Sequence, residues 1–160
     1  MKFSNKFIAQ SAIIAALYAA LTVILAPISY GPFQLRVAEM LTVLPFLTPA
    51  AIPGLFLGCA IANLFSPAGI VDVVFGSLFT LLAAILTYLL SKTRKPLLAP
   101  LPPVLINAFG VSLYLHLFFK MPYLVTALWV GLGEIAACYI LGLLLLLVLS
   151  TKKLNHIIKL

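Results

Sequence analysis

Three carboxylates are the most informative chemical groups in this sequence. The 160 residues include three acidic side chains, Glu39, Asp72 and Glu134, in a chain that is 64% hydrophobic. An ionisable group at bilayer depth costs at least ~2.5 kcal/mol, so it marks a functional site by default. Because a carboxylate accepts two hydrogen bonds side by side, this set suits a cationic or donor-rich solute.

Glu134 is the strongest of these candidates. It lies ~16 Å into the last apolar stretch at about 1.5 Å of rise per residue. Ala127 and Gly131 share its helical face and leave space above the carboxylate. We interpret Glu134 as a ligand-binding residue; the alternative is a structural partner for Arg36. Trp129 lies about 140° around the helix and is interpreted as an interfacial anchor.

The other two carboxylates have simpler alternatives. Arg36 and Glu39 are three residues apart and can pair within one helical turn. We expect them to meet a polar ligand, because both adjoin a loop rich in helix breakers. Asp72 either contacts the same ligand or caps the start of its helix, where a carboxylate favours the helix dipole.

Four further polar residues complete the predicted binding site: Gln34, Asn63, Asn107 and His116. Asn63 and His116 close their helices on the side of the carboxylates, although a histidine at a helix end is commonly a cap. Asn107 lies nearer the opposite end of its helix, which makes contact with the same ligand less expected.

The composition indicates that membrane-spanning helices position these residues. A soluble domain carries about 25% charged residues, whereas this chain carries 8%. A bilayer crossing needs about 20 apolar residues, so about six crossings fill the chain. We therefore predict an all-α integral membrane protein, with residues 1–160 forming one transmembrane substrate-binding domain. The six predicted helices cover residues 7–26, 37–47, 54–65, 70–90, 102–119 and 123–149.

The second predicted helix is short and interrupted by prolines. Pro45, Pro49 and Pro53 break the chain around it. Broken helices at membrane depth are tolerated where they are buried in protein or line a cavity. We interpret this helix as part of a binding pocket; the alternative is a short helix packed inside the bundle.

The basic residues indicate the orientation. Six crossings place both termini on one side, which also carries most of the lysines and arginines: Lys2, Lys6, Lys92, Arg94, Lys95, Lys152, Lys153 and Lys159. An excess of basic residues in cytoplasmic loops predicts that both termini are cytoplasmic. The net charge of +7 then faces an anionic leaflet and does not require nucleic acid.

Small residues recur at every fourth position on two helices. The two stripes are Ala12, Ala16 and Ala20 on the first helix and Gly54, Gly58 and Ala62 on the third. Small residues at this spacing let another helix approach closely in lipid. Each stripe serves either a partner protein or packing within the bundle. Cys59 and Cys138 lie in apolar runs and are interpreted as packing residues.

Catalytic and energising motifs are missing from the sequence. There is no phosphate-binding loop, no H-E-x-x-H and no G-x-S-x-G. We predict a protein that is not an enzyme, has no catalytic residues, no metal site and no cofactor, and cannot use ATP itself.

Five segments resemble one known family, and together they cover nearly the whole chain. They are GPFQLRVAEMLTVLPF (31–46), PGLFLGCAIANL (53–64), DVVFGSL (72–78), LAPLPPVLINA (98–108) and LWVGLGE (128–134). These segments resemble the QueT family of substrate-specific subunits of energy-coupling factor (ECF) importers.

The resemblance implies a substrate, partners and a location. The solute would be a queuosine precursor, foremost 7-aminomethyl-7-deazaguanine, whose guanine edge and cationic arm agree with the carboxylates. The subunit would capture it from outside the bacterial plasma membrane. It would dock through Ala12, Ala16 and Ala20 on a membrane coupling protein with two cytoplasmic ATPases, and ATP would be used only by those partners.

Three alternatives remain open from the sequence. The first is an importer subunit for another vitamin or purine. The second is a small proton-coupled exporter with Glu134 as proton carrier. The third is a scaffold without a ligand.

Overall fold

Helices are the only regular secondary structure in the described part of the chain, and four of them are long and apolar enough to cross a membrane. The computed structural model describes residues 4–31 and 35–150, and no strand occurs in these two ranges. The four long helices are α1 (Asn5–Ile24), α4 (Asp72–Thr93), α5 (Pro96–Phe119) and α6 (Tyr123–Ser150). Two shorter apolar helices are α2 (Val37–Phe46) and α3 (Ala51–Asn63). The predicted all-α fold is confirmed.

The predicted start of α3 was three residues too late. The sequence analysis placed it at Gly54 because Pro53 breaks helices, whereas α3 begins at Ala51. Pro53 lies in the first turn, where a backbone N–H has no partner within the helix. A proline at this position therefore costs the helix little.

Helix α2 is a buried 310 helix in the middle of the bundle. Its ten residues contain Pro45, and the stretch from Leu41 to Pro45 is buried throughout. Runs of 310 helix beyond 3–4 residues are uncommon, because their hydrogen-bond geometry is poorer. Contacts with α1, α4 and α6 surround α2 and compensate for this weakness. At about 2.0 Å of rise per residue, α2 spans ~20 Å, less than the ~30 Å hydrocarbon core.

Helices α1 and α3 pack directly backbone to backbone. A Cβ added at Gly54 would lie 2.7 Å from the Ser11 carbonyl oxygen, and one at Gly58 would lie 2.8 Å from that of Ala15. The glycines of α3 therefore serve packing within the bundle, which was the alternative for this stripe. Ala12, Ala16 and Ala20 lie on the outer face of α1 and are exposed.

The distribution of side chains is the reverse of that in a water-soluble protein. Large apolar residues such as Leu17, Leu82 and Leu132 are exposed. Sixteen polar or charged residues are buried within the described part of the chain. Such a surface requires lipid around it, so the protein is a membrane protein.

Candidate functional site

A buried ion pair joins α4 to the segment just before α2. Arg36 Nη2 lies 3.0 Å from Asp72 Oδ2, and both residues are buried. Tyr114 of α5 donates its hydroxyl to the other oxygen of Asp72. Asn63, at the end of α3, donates to the Asp72 backbone carbonyl at 2.9 Å. Residues of four segments of the chain thus meet at Asp72.

A second polar cluster joins α1, α2, α5 and α6. Asn107 Nδ2 donates to Glu134 Oε1 at 3.0 Å, and Tyr18 of α1 donates its hydroxyl to Glu39. Cys138 donates to Glu134 Oε2 at 3.4 Å. Ligand atoms of Glu39, Glu134 and Cys138 all lie within 4.8 Å of one another, close enough to hold a cation between them. This proximity brings together two carboxylates from helices far apart in the chain.

Segments of π-helix place three of these polar residues. The π turns cover Asp72–Gly76 in α4, Asn107–Val111 in α5 and Ile135–Gly142 in α6. Asp72 and Asn107 open their segments, and Glu134 directly precedes the third. A π turn widens the helix and leaves backbone groups without regular partners, which is why such turns are frequent at functional sites. All three turns border the same polar interior.

An outer cavity of about 470 Å³ reaches the ion pair from one end of the bundle. Its wall contains the loops between helices and the aromatic residues Tyr30, Phe119 and Trp129. Burial raises the pKa of the Tyr30 phenol, so it remains a neutral donor to the Ala62 carbonyl at neutral pH. Pockets for small ligands usually have 300–1,000 Å³, so this cavity is of the right size for one.

A much smaller inner void of about 10 Å³ lies among the carboxylates. It is bordered by Glu39, Asn107 and Glu134, and it shares Arg36 and Val130 with the outer cavity. Arg36 and Val130 thus lie between an outer space of ligand size and an inner polar one.

Several buried polar atoms around these spaces have no partner among the described residues. They include Arg36 Nε, Glu39 Oε2, Asn63 Oδ1 and Asn107 Oδ1. A buried polar group left unpaired costs about 1–3 kcal/mol, so such atoms mark positions where a ligand or water completes the site.

The structure corrects three expectations about these residues. Arg36 pairs with Asp72, so the predicted pairing with Glu39 within one turn is wrong. The carboxylate of Asp72 contacts Arg36 and Tyr114, so it does not cap its helix. Asn107 contacts Glu134 directly, because α5 runs beside α6 at this depth.

The structure does not place two other candidates, His116 and Gln34, at either space. His116 is exposed and borders neither space; its Nδ1 lies 2.7 Å from the carbonyl oxygen of Met121, which borders the outer cavity. Gln34 lies outside the described residues. Trp129, interpreted as an interfacial anchor, borders the outer cavity.

Three residues of these clusters were not predicted as site residues: Tyr18, Tyr114 and Cys138, of which Cys138 was interpreted as a packing residue. Tyr18 and Tyr114 are both buried, and a buried tyrosine hydroxyl usually has a hydrogen-bond partner. Two tyrosines in the middle of apolar helices were therefore a signal for buried acceptors. Cys138 follows Glu134 by four residues, and this spacing, which places both on one helical face, was the available signal.

A helical membrane protein with a ligand-sized cavity that leads to a small polar void has the architecture of a solute-binding transporter. The chain matches the family described as QueT transporter over residues 8–151. It is 35% identical over 154 residues to the queuosine precursor transporter QueT of Lactococcus lactis subsp. cremoris strain MG1363. The aligned region covers 88% of this chain and 90% of that protein. No solved structure matches the chain.

The chain belongs to the QueT transporter family. The family resemblance predicted from the five sequence segments is confirmed. Since this is a family of transporters, the prediction that the protein is not an enzyme is confirmed as well.

Proposed function

We propose that the protein is the substrate-capturing subunit of an ECF importer and that it binds a queuosine precursor, foremost 7-aminomethyl-7-deazaguanine. The observation that carries this proposal is the cavity of about 470 Å³, which leads to a buried set of three carboxylates. A precursor of this type has a flat base, a donor-rich edge and a cationic arm. The Lactococcus relative is a queuosine precursor transporter, which supports the same substrate class.

The walls of the outer cavity suit a flat base. Trp129 and Tyr30 offer aromatic surfaces for stacking, and Arg36 and Asp72 offer a donor and an acceptor at the floor. A nanomolar Kd corresponds to a binding free energy of about −12 kcal/mol. A ligand of about 13 heavy atoms can reach it, because it needs less than the maximum of about −1.5 kcal/mol from each atom.

We also propose that the cavity opens to the outside and that both termini are cytoplasmic. In this arrangement α2 and α3 are two further, shorter crossings of a six-helix bundle. The outer cavity is bordered by residues before α2, between α3 and α4, and between α5 and α6, such as Gly31, Pro67 and Pro122. These are the loops that the positive-inside pattern assigns to the outer side.

The partners in this proposal are a membrane coupling protein and two cytoplasmic ATPases. Ala12, Ala16 and Ala20 are exposed on one face of α1 and would allow close approach of a partner helix. ATP hydrolysis is assigned to the partners, because the sequence contains no phosphate-binding loop.

Equilibrium binding to the purified protein in detergent tests this function. We expect 7-aminomethyl-7-deazaguanine to bind with a nanomolar Kd and guanine to bind at least about tenfold more weakly. Glu134→Gln should weaken binding of the aminomethyl compound, whereas Ser91→Ala, at the far end of α4, should leave it unchanged. Absence of binding by the folded protein would contradict the proposed substrate. Solute uptake by vesicles without the coupling protein and ATPases would contradict the ECF role.

A further inference from the structure

The inner void is large enough for one small group and too small for a ring. Its volume of about 10 Å³ is close to the ~10–15 Å³ that a single water-sized group needs. A bicyclic base cannot enter without displacing side chains of several helices. A ligand that occupies the outer cavity can therefore extend only a compact group into this void.

The unpartnered atoms around the void are mainly hydrogen-bond acceptors. Glu39 is 1% exposed and its Oε2 has no partner, and Asn107 is 3% exposed with an unpartnered Oδ1. Glu134 lies beside them and already accepts from Asn107 and Cys138. Arg36 Nε is the one unpartnered donor that borders the same void in the described chain. This lining requires a group that brings several donors.

The negative charges around the void are also not balanced by positive ones. The guanidinium of Arg36 is paired with Asp72, which leaves Glu39 and Glu134 without a cation of their own among the described residues. Their ligand atoms lie within 4.8 Å of each other, so two ionised carboxylates would repel strongly in a low-dielectric interior. A positive group between them removes this repulsion.

We infer that the inner void is the subsite for a primary ammonium group of the transported solute, with the ring remaining in the outer cavity. An ammonium group is compact, carries a positive charge and offers three N–H donors. Glu39 Oε2, Asn107 Oδ1 and the carboxylate of Glu134 are its three acceptors. Arg36 and Val130 border both spaces, so an arm of one methylene passes between them. Asp72 is then the carboxylate that faces the ring.

This inference rests on the proposed function and assigns different tasks to the carboxylates. Glu39 and Glu134 discriminate between charged and neutral arms, while Asp72 contributes to the binding of every ligand that shares the ring. The two roles are separated by comparing ligands that differ only in the arm.

The test is a comparison of two ligands on four forms of the protein. The Kd of 7-aminomethyl-7-deazaguanine and that of neutral 7-methyl-7-deazaguanine are measured for the wild type, Glu39→Gln, Glu134→Gln and Asp72→Asn. The wild type should prefer the aminomethyl compound by at least about tenfold, as expected for charge-assisted hydrogen bonds in a buried site. Glu39→Gln and Glu134→Gln should reduce this preference to less than about threefold while the neutral ligand keeps its affinity. Asp72→Asn should weaken both ligands and keep the preference.

The outcomes separate this inference from the function on which it rests. If no 7-deazaguanine binds to the folded wild type, the proposed function fails. If both ligands bind equally well to the wild type, or if the glutamate variants weaken both equally, the substrate class stands and the ammonium subsite is overturned. A preference that disappears after removal of metal ions with EDTA would assign the void to a metal ion and would also overturn the inference. Thermal unfolding of each variant confirms that it is folded.

Discussion

Tyr18 and Glu39 illustrate how single residues hold the polar interior together. They are 21 positions apart in the sequence, and the Tyr18 hydroxyl is the donor that partners one oxygen of Glu39. Tyr114 has the same role for Asp72. In lipid there is no bulk water to satisfy a carboxylate, so each one depends on donors that the protein supplies. The tyrosines are therefore part of the site even though they carry no charge at neutral pH.

The first prediction concerns Tyr18. Tyr18→Phe removes the hydroxyl that donates to Oε1 of the buried Glu39 carboxylate, whose Oε2 already has no hydrogen-bond partner. We expect the free energy of unfolding to fall by about 1–3 kcal/mol. Thermal unfolding in detergent measures the change. Tyr88→Phe is the matched control, because Tyr88 is 37% exposed and should lose its hydroxyl without a change in stability. Equal stabilities of the two variants would contradict the role of the Tyr18–Glu39 contact.

At the scale of the elements, α1 has two faces with different surroundings. One face packs against α3 through the glycines of that helix, and the opposite face carries exposed alanines. The alanine stripe of α1 and the glycine stripe of α3 have the same spacing of small residues, so spacing by itself could not show which of them packs inside the bundle. The folded protein distinguishes them, because the glycines contact α1 and the alanines are exposed.

The second prediction compares the two stripes. Gly58→Ala adds a Cβ that would lie 2.8 Å from the Ala15 carbonyl oxygen and 2.9 Å from Tyr18 Cβ, so α1 and α3 must move apart. We expect a loss of about 1–3 kcal/mol in the free energy of unfolding, as for other overpacked contacts. Ala16→Leu should keep both stability and solute binding, because Ala16 is exposed. Thermal unfolding of both variants measures the difference.

The same Ala16→Leu variant tests the docking face. Co-purification with the coupling protein and its ATPases should decrease, because a large side chain prevents close approach of a partner helix. Full recovery of the complex with this variant would show that docking uses another surface.

At the scale of the whole molecule, one end of the bundle collects the loops that border the outer cavity. The basic segment at the end of α4 and directly after it is not among them, and it carries Lys92, Arg94 and Lys95. If the protein follows the positive-inside rule, the cavity therefore faces outward. This orientation is what a subunit that captures a solute from outside requires.

The third prediction concerns this orientation. Cys59 and Cys138 are fully buried and should not react with a membrane-impermeant maleimide, so single introduced cysteines report on accessibility. Met121→Cys should be labelled in intact cells, because Met121 is exposed beside the outer cavity. Thr93→Cys should be labelled only after permeabilisation. The opposite pattern of labelling would reverse the proposed topology. Saturating solute should slow labelling of Met121→Cys if the cavity binds it.

Much of the fold could be predicted from the sequence, because apolar length is a local property. A stretch of about 20 apolar residues forms a helix in lipid whatever its neighbours are. The boundaries of α1, α4 and α6 were accordingly predicted to within a few residues. The start of α3 was missed because the cost of a proline depends on its position within the first turn. The family was recognised from motifs that extend over the whole chain, and the match over residues 8–151 confirms it.

The arrangement of the candidate site depended on tertiary structure. The sequence by itself determined that three carboxylates are placed in an apolar chain and that they require partners, since an unpaired charge in lipid is costly. It did not determine which partners they have. Arg36 and Asp72 are 36 residues apart, and Asn107 and Glu134 are 27 apart, so their contacts exist only once the helices are packed together. Close packing of helices decides which side chains meet, and this is a property of the whole bundle that no local pattern contains.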